Sequence, residues 1–120
     1  MRNFRLEIEQ LILNTFLQQD KASDMDKVEI EDYKIDYKLF KSNKTNKLVA
    51  KAISNLQANK EPISEIMVEQ YISKRTRLDV LQYLELTSKL WVTFDTMLKY
   101  MDKLKEINYE DFKEETLKAI

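Results

Sequence analysis

The side chains of this sequence that could do chemistry are carboxylates, lysines and hydroxyls, because it contains no histidine and no cysteine. Imidazole acid–base catalysis, thiol nucleophiles and the common zinc sites are thereby excluded. A hydroxyl–imidazole triad is equally impossible. Glycine is absent too, so neither a Walker A loop nor a dinucleotide fingerprint is available to cradle a phosphate with backbone amides. No carboxylate pair stands in an apolar sequence setting that would tune it for catalysis. The chain reads as non-enzymatic, and no cofactor or metal is expected.

Two charged clusters and one tryptophan remain. Asp24, Asp26, Glu29, Glu31 and Asp32 gather the oxygens that hard cations prefer, but without the turn glycine and spacing of an EF-hand. They read as a solvated acidic loop. Lysines recur at 34, 38, 41, 44, 47 and 51 with Tyr33, Tyr37 and Phe40 interleaved, types that touch phosphates and stack on bases. Within that run Lys38, Lys41, Lys44, Lys47 and Lys51 are the nucleic-acid candidates. Nearby acidic residues dilute the run and its aromatics suit a core better, so direct DNA binding is not the expected role. Trp91, between Leu90 and Val92, reads either as a core plug or as a partner-binding anchor.

The elements that must carry these residues are helical. Hairpins and bulges in a sheet protein of this size call for glycine, and the only proline is Pro62. Phe4 to Leu17, FRLEIEQLILNTFL, sets Phe4, Ile8, Leu11, Ile12, Thr15 and Phe16 on one face, with Leu6, Leu13 and Leu17 beside them. Glu7, Gln10, Asn14 and Gln18 are left for water. So apolar a helix is expected at the centre of a bundle, wrapped by the others. Gln18 to Asp26 reads as a polar loop, and Val28 to Phe40 as an irregular or partly helical segment packing its aromatics on the core.

A helix then runs from about Asn46 to about Ala58, capped by Ser42, Asn43 or Thr45, with Leu48, Val49, Ala52, Ile53 and Leu56 inside. Ser64 caps the next, which carries Ile66, Met67, Tyr71 and Ile72. Thr76-Arg77-Leu78-Asp79 resembles a capping box opening a helix with Leu78, Leu81, Tyr83 and Leu84. Thr93 caps a helix whose stripe is Phe94, Met97, Leu98, Met101 and Leu104. Asn108 either caps a last short helix bearing Phe112, Thr116 and Ile120 or lies within a continuing one. The expected architecture is all-α: a single domain over residues 1–120, a compact bundle of five or six helices. Hydrophobic residues make up 43% of the chain, enough for one core. Its 20 basic and 21 acidic residues create no global field toward nucleic acid or membrane. No apolar run is long enough to span a bilayer, and Glu7, Glu9 and Gln10 interrupt any signal-like pattern. A cytoplasmic protein is expected.

Several segments, in order, resemble the N-terminal domain of DnaB-type bacterial replicative DNA helicases. Glu7-Ile8-Glu9-Gln10-Leu11-Ile12-Leu13 is similar to that family's E-A-E-x-x-V-L opening helix. Asn46-Lys47-Leu48-Val49-Ala50-Lys51-Ala52-Ile53 is similar to H-R-x-I-F-x-A-I, and Glu61-Pro62-Ile63-Ser64 to the G-x-P-[IV]-D turn. Leu81 to Leu86 resembles the Y-L-x-x-L element, and Tyr100 to Glu106 the Y-x-x-x-[IL]-x-E helix. Asn14 stands where a glycine is usual, Asn46 where a histidine is, Asp79 where a Gly-Gly pair often stands, and the usual T-P or S-A-N turn is replaced around Leu90 to Thr93.

The resemblance implies a helical head with a truncated or absent hairpin. Its implied role is scaffolding of a helicase ring by self-association and docking of primase, a loader or another replisome protein, with the ATPase in a separate domain. Trp91, Lys99, Lys103 and Lys105, near the hairpin stub, are then the candidate contacts. The helicase-binding C-terminal domain of primase has a similar head and is the alternative. A small nucleic-acid-binding or regulatory helical protein is the third reading.

Overall fold

The structure, a computed structural model, describes residues 4–73 and 91–118. Among these, every assigned element is helical. The capping-box segment at Thr76, the helix expected around Leu78 to Leu84, the Leu81–Leu86 element, Lys89-Leu90 and Ile120 lie outside the described residues.

Helix α1 (Phe4–Leu17) packs against both the third helix and the last, as its apolar girth requires. Ile8, Ile12, Leu13, Phe16 and Leu17 are buried. The solvent side differs from the expectation at both ends. Residues 12–19 are all buried, including Asn14 and Gln18, because this half of α1 and the turn after it are surrounded by the other elements. Gln18 donates to Glu65, and Gln19 donates to the Ile63 carbonyl at 3.0 Å. Phe4, expected on the inner face, is exposed, and Leu11 is only half-buried. Thr15 accepts from the Val92 amide at 3.3 Å, tying α1 to the chain entering the last helix.

The stretch expected as an acidic loop is structured. A 3-10 turn, Gln19–Lys21, leads to α2 (Asp24–Asp32). Ser23 caps α2 by accepting from the Asp26 amide. Asp24 and Asp26 lie in its first turn, where negative charge suits the helix dipole. Only Ile30 of α2 is buried, too little apolar periodicity for sequence to reveal it. The chain then runs extended and makes a second 3-10 turn, Tyr37–Leu39. One side chain supplies what a partner strand would: Gln57 accepts from the Ile35 amide at 3.0 Å and donates to the Tyr33 carbonyl at 2.7 Å. Tyr33, Tyr37 and Leu39 are half-buried against the core, and Ile35 and Phe40 are inside it.

Of the three cap candidates for α3 (Lys44–Ala58), Asn43 is the one used, accepting from the Asn46 amide at 2.7 Å. Val49, Ala50, Ala52, Ile53 and Leu56 are buried, with Leu48 at the margin. At its C-terminus the Lys60 amide bonds the Gln57 carbonyl and the Glu61 amide bonds the Leu56 carbonyl at 2.9 Å. This is a Schellman arrangement, and its left-handed residue is Lys60, with φ 56°. Glycine usually fills that position, and this chain has none. Helix α4 (Glu65–Ser73) is capped by Ser64, whose Oγ accepts from the Met67 amide. Its inner side is Val68 and Ile72. Ile66 is exposed because it stands two residues, or about 200° of rotation, before Val68.

Helix α5 (Phe94–Lys118) is capped by Thr93, which accepts from the Thr96 amide. The Asp26 carboxylate reaches across from α2 to accept from the Phe94 amide at 3.3 Å. Phe94, Met97, Met101 and Leu104 form its buried stripe. Asn108 does not start a new helix. It lies inside α5, donating to the Leu39 carbonyl at 2.9 Å and accepting from Arg5. Beyond Asp111 every described side chain of α5 is exposed. No helix is long and apolar enough to cross a membrane among the described residues.

Candidate interaction site

The most deeply placed charge is Glu9, fully buried in the middle of α1. Its carboxylate sits where the chain turns into α3. It accepts from the Ser42 hydroxyl at 2.7 Å, the Ser42 amide at 3.1 Å, the Asn46 side-chain amide at 3.2 Å and the Lys41 amide at 3.3 Å. Arg5 Nε stands 3.4 Å away, an ion pair without an aligned hydrogen bond. The same guanidinium bonds Asp111 at 2.5 Å and Asn108, so the network joins α1, the α3 entry and α5. Both oxygens of Glu9 are engaged. A carboxylate so saturated orders structure; it has no free face to abstract a proton.

Among the described residues, the other acidic side chains do not converge on one another. No group of three or more acidic side chains is placed to hold a metal ion there. The acidic cluster of Asp24 to Asp32 is spread around a helix instead of converging. An open depression of about 690 Å³ is lined by Gln19, Lys27, Glu31, Lys34, Lys60 and Pro62 among others. Charged side chains of both signs stand around it, so it presents no single-sign field to a ligand.

The candidate lysines fall on one region. Lys38 is on the second 3-10 turn, Lys41 in the connection, and Lys44, Lys47 and Lys51 on α3, all of them exposed. The interleaved aromatics turn the other way. Phe40 is buried, and Tyr33 packs between Phe16 and Phe94 with ring centroids 6.2 and 6.1 Å apart. Phe40 and Tyr33 thus serve the core, and Tyr37 is half-buried against it.

The candidates at the other end are not brought together as one patch. Trp91 is 38% exposed just before α5. Lys99 and Lys103, four residues apart, share a face, and Lys103 pairs with Glu106 at 3.6 Å. Lys105, two residues further, is rotated about 200° away. Comparison with protein-family models, curated proteins and solved structures finds no match. The surface that sequence reasoning missed lies on the distal half of α5. Tyr109, Phe112 and Leu117 are 63%, 66% and 65% exposed. The signal was available as aromatic residues three apart in an otherwise charged stretch, but periodicity alone assigns such residues to a core.

Proposed function

We propose that this chain is a non-catalytic protein-docking domain of the kind that stands at the N-terminus of DnaB-type replicative helicases. In that role it mediates subunit assembly and presents a surface to primase or a loader. The observation that carries the docking reading is the distal half of α5. A helix whose described side chains beyond Asp111 are all exposed, yet which displays Tyr109, Phe112 and Leu117, leaves large apolar groups in water at a cost that a partner would relieve. Tyr109 and Leu117, eight residues apart, lie within about 80° of one another, so one partner surface can cover both. The ordered sequence resemblance supplies the replication context, and the saturated state of Glu9 supports a role without catalysis.

Size-exclusion chromatography with light scattering tests this on the chain alone and with the host's primase or helicase added. Self-association, or a complex with primase, is the expected result. It should weaken at least tenfold in a Tyr109→Ser/Leu117→Ser variant that keeps its helical circular dichroism. A complex with helicase instead would favour the primase-type reading. A monomer that binds neither overturns the replication role.

A further inference from the structure

We propose that the outer face of α3, together with the turn leading into it, binds the phosphate backbone of a nucleic acid. The sequence carries the first part of the argument. From Tyr37 to Lys60 there are six lysines and not one aspartate or glutamate, in a chain whose total charge is −1. The stretch is therefore a local island of base, and it follows α2, whose nine residues carry five acids and one lysine.

The fold carries the second part. Lys44, Lys47 and Lys51 recur at intervals of three and four residues on the exposed side of α3. Their axial steps of about 4.5 and 6 Å let flexible ammonium arms meet successive phosphates. Lys38 and Lys41 extend the line. The salt bridges among the described residues involve none of these lysines. The acids nearest in the chain are Asp36 and Glu61, at the two ends of the stretch. From α4, packed on α3, come Glu65 and Glu69, both half-buried. Glu9, at the start of α3, is buried and fully engaged.

The kind of polyanion follows from what the face lacks. Protein interfaces are anchored by large apolar or aromatic side chains. The large hydrophobic residues exposed among the described residues are Phe4, Met25, Val28, Ile66, Trp91, Tyr109, Phe112 and Leu117, none of them on this face. The apolar side of α3 is consumed by the core, leaving nothing to insert into a lipid surface. A face of charge without anchors suits binding driven by counterion release. The Glu9 carboxylate takes the Lys41 and Ser42 amides just before α3, and the Asn43 side chain takes the Asn46 amide, so these donors are not offered to a phosphate. Recognition is by side-chain ammonium groups alone, hence indifferent to base sequence and steep in salt.

The test is fluorescence anisotropy with a labelled 20-base duplex and the corresponding single strand. For about four phosphates neutralised, affinity for the duplex should fall about 100-fold between about 50 and 200 mM salt. Lys47→Glu/Lys51→Glu should weaken binding at least tenfold. Lys21→Glu/Lys113→Glu, with the same change in net charge, should weaken it far less. Thermal melting confirms that both variants fold. Absence of binding at low salt, or equal loss in both variants, overturns the proposal. Displacement of the DNA by polyglutamate at equal charge concentration also overturns it, assigning the face to an acidic protein instead.

Discussion

Replacing Glu9 by alanine should be among the most damaging single changes in this chain, although the residue touches no ligand. The carboxylate is fully buried and accepts from two backbone amides, one hydroxyl and one side-chain amide. After its removal the Ser42 hydroxyl and the Asn46 amide can still serve one another, since they already lie 3.2 Å apart. Arg5 keeps Asp111. The Lys41 and Ser42 amides, whose bonds to Glu9 are part-buried, are left without that acceptor, at about 1 kcal/mol each. Loss of an anion at the start of α3 adds up to about 1 kcal/mol. A total near 3 kcal/mol follows. In urea denaturation, with a slope of about 1.5 kcal/mol per molar, the midpoint should fall by about 2 M at unchanged slope. Glu9→Gln keeps the shape and one acceptor but turns an NH2 group toward other donors, so an intermediate loss is expected. Combining Glu9→Ala with Ser42→Ala should cost about 1 kcal/mol less than the sum of the two, as partners in one network do. A midpoint shift below about 0.3 M for Glu9→Ala would refute the view that this carboxylate organises the α3 entry.

Phe16→Ala should cost about 3–5 kcal/mol through a core cavity, whereas Leu11→Ala, at a half-buried position, should cost about 1. Equal losses in thermal melting would mean that α1 is rotated from the orientation described. Asp26→Ala should cost about 1 kcal/mol by leaving the Phe94 amide without its acceptor, and Asp26→Asn, which keeps an acceptor, should recover most of it. Lys60→Gly should stabilise by about 1 kcal/mol, because the left-handed backbone at that position penalises any Cβ. If Lys60→Gly instead lowers the melting temperature, the charge at that position matters more than its conformation.

What sequence can reveal here is set by how local the cause is. The helical class follows from missing glycine and from stripes such as Phe94, Met97, Met101 and Leu104. Ser64 and Thr93 are legible because a cap acts on amides two or three residues away. Glu9 was not legible as a core residue, since its partners lie 32 to 37 positions along the chain. Asn14 and Gln18 fail for the same reason: periodicity reports one helix's own pattern, and burial is decided by neighbours that wrap it. Phe4 errs in the opposite direction, apolar by type but left outside by its position on the cylinder, as Ile66 is. The surfaces are partly legible. The lysine run shows in sequence, but its segregation from acid becomes visible only when α3 turns its other side to the core. The exposure of the distal α5 residues is not legible in sequence, because it depends on how far the rest of the fold extends along that helix.

The extended stretch between α2 and α3 has a consequence for the order in which the molecule assembles. Its backbone is held by borrowed side chains, Gln57 from α3 at Tyr33 and Ile35, and Asn108 from α5 at Leu39. Each contact needs its own helix, α3 for Gln57 and α5 for Asn108, to have formed and docked. This stretch should therefore be the last part of the described fold to become ordered and the first to open. In native-state hydrogen exchange the Ile35 amide should lose its protection at a lower free energy than the amides inside α1. It would serve as an internal clock for the docking of α3 and α5.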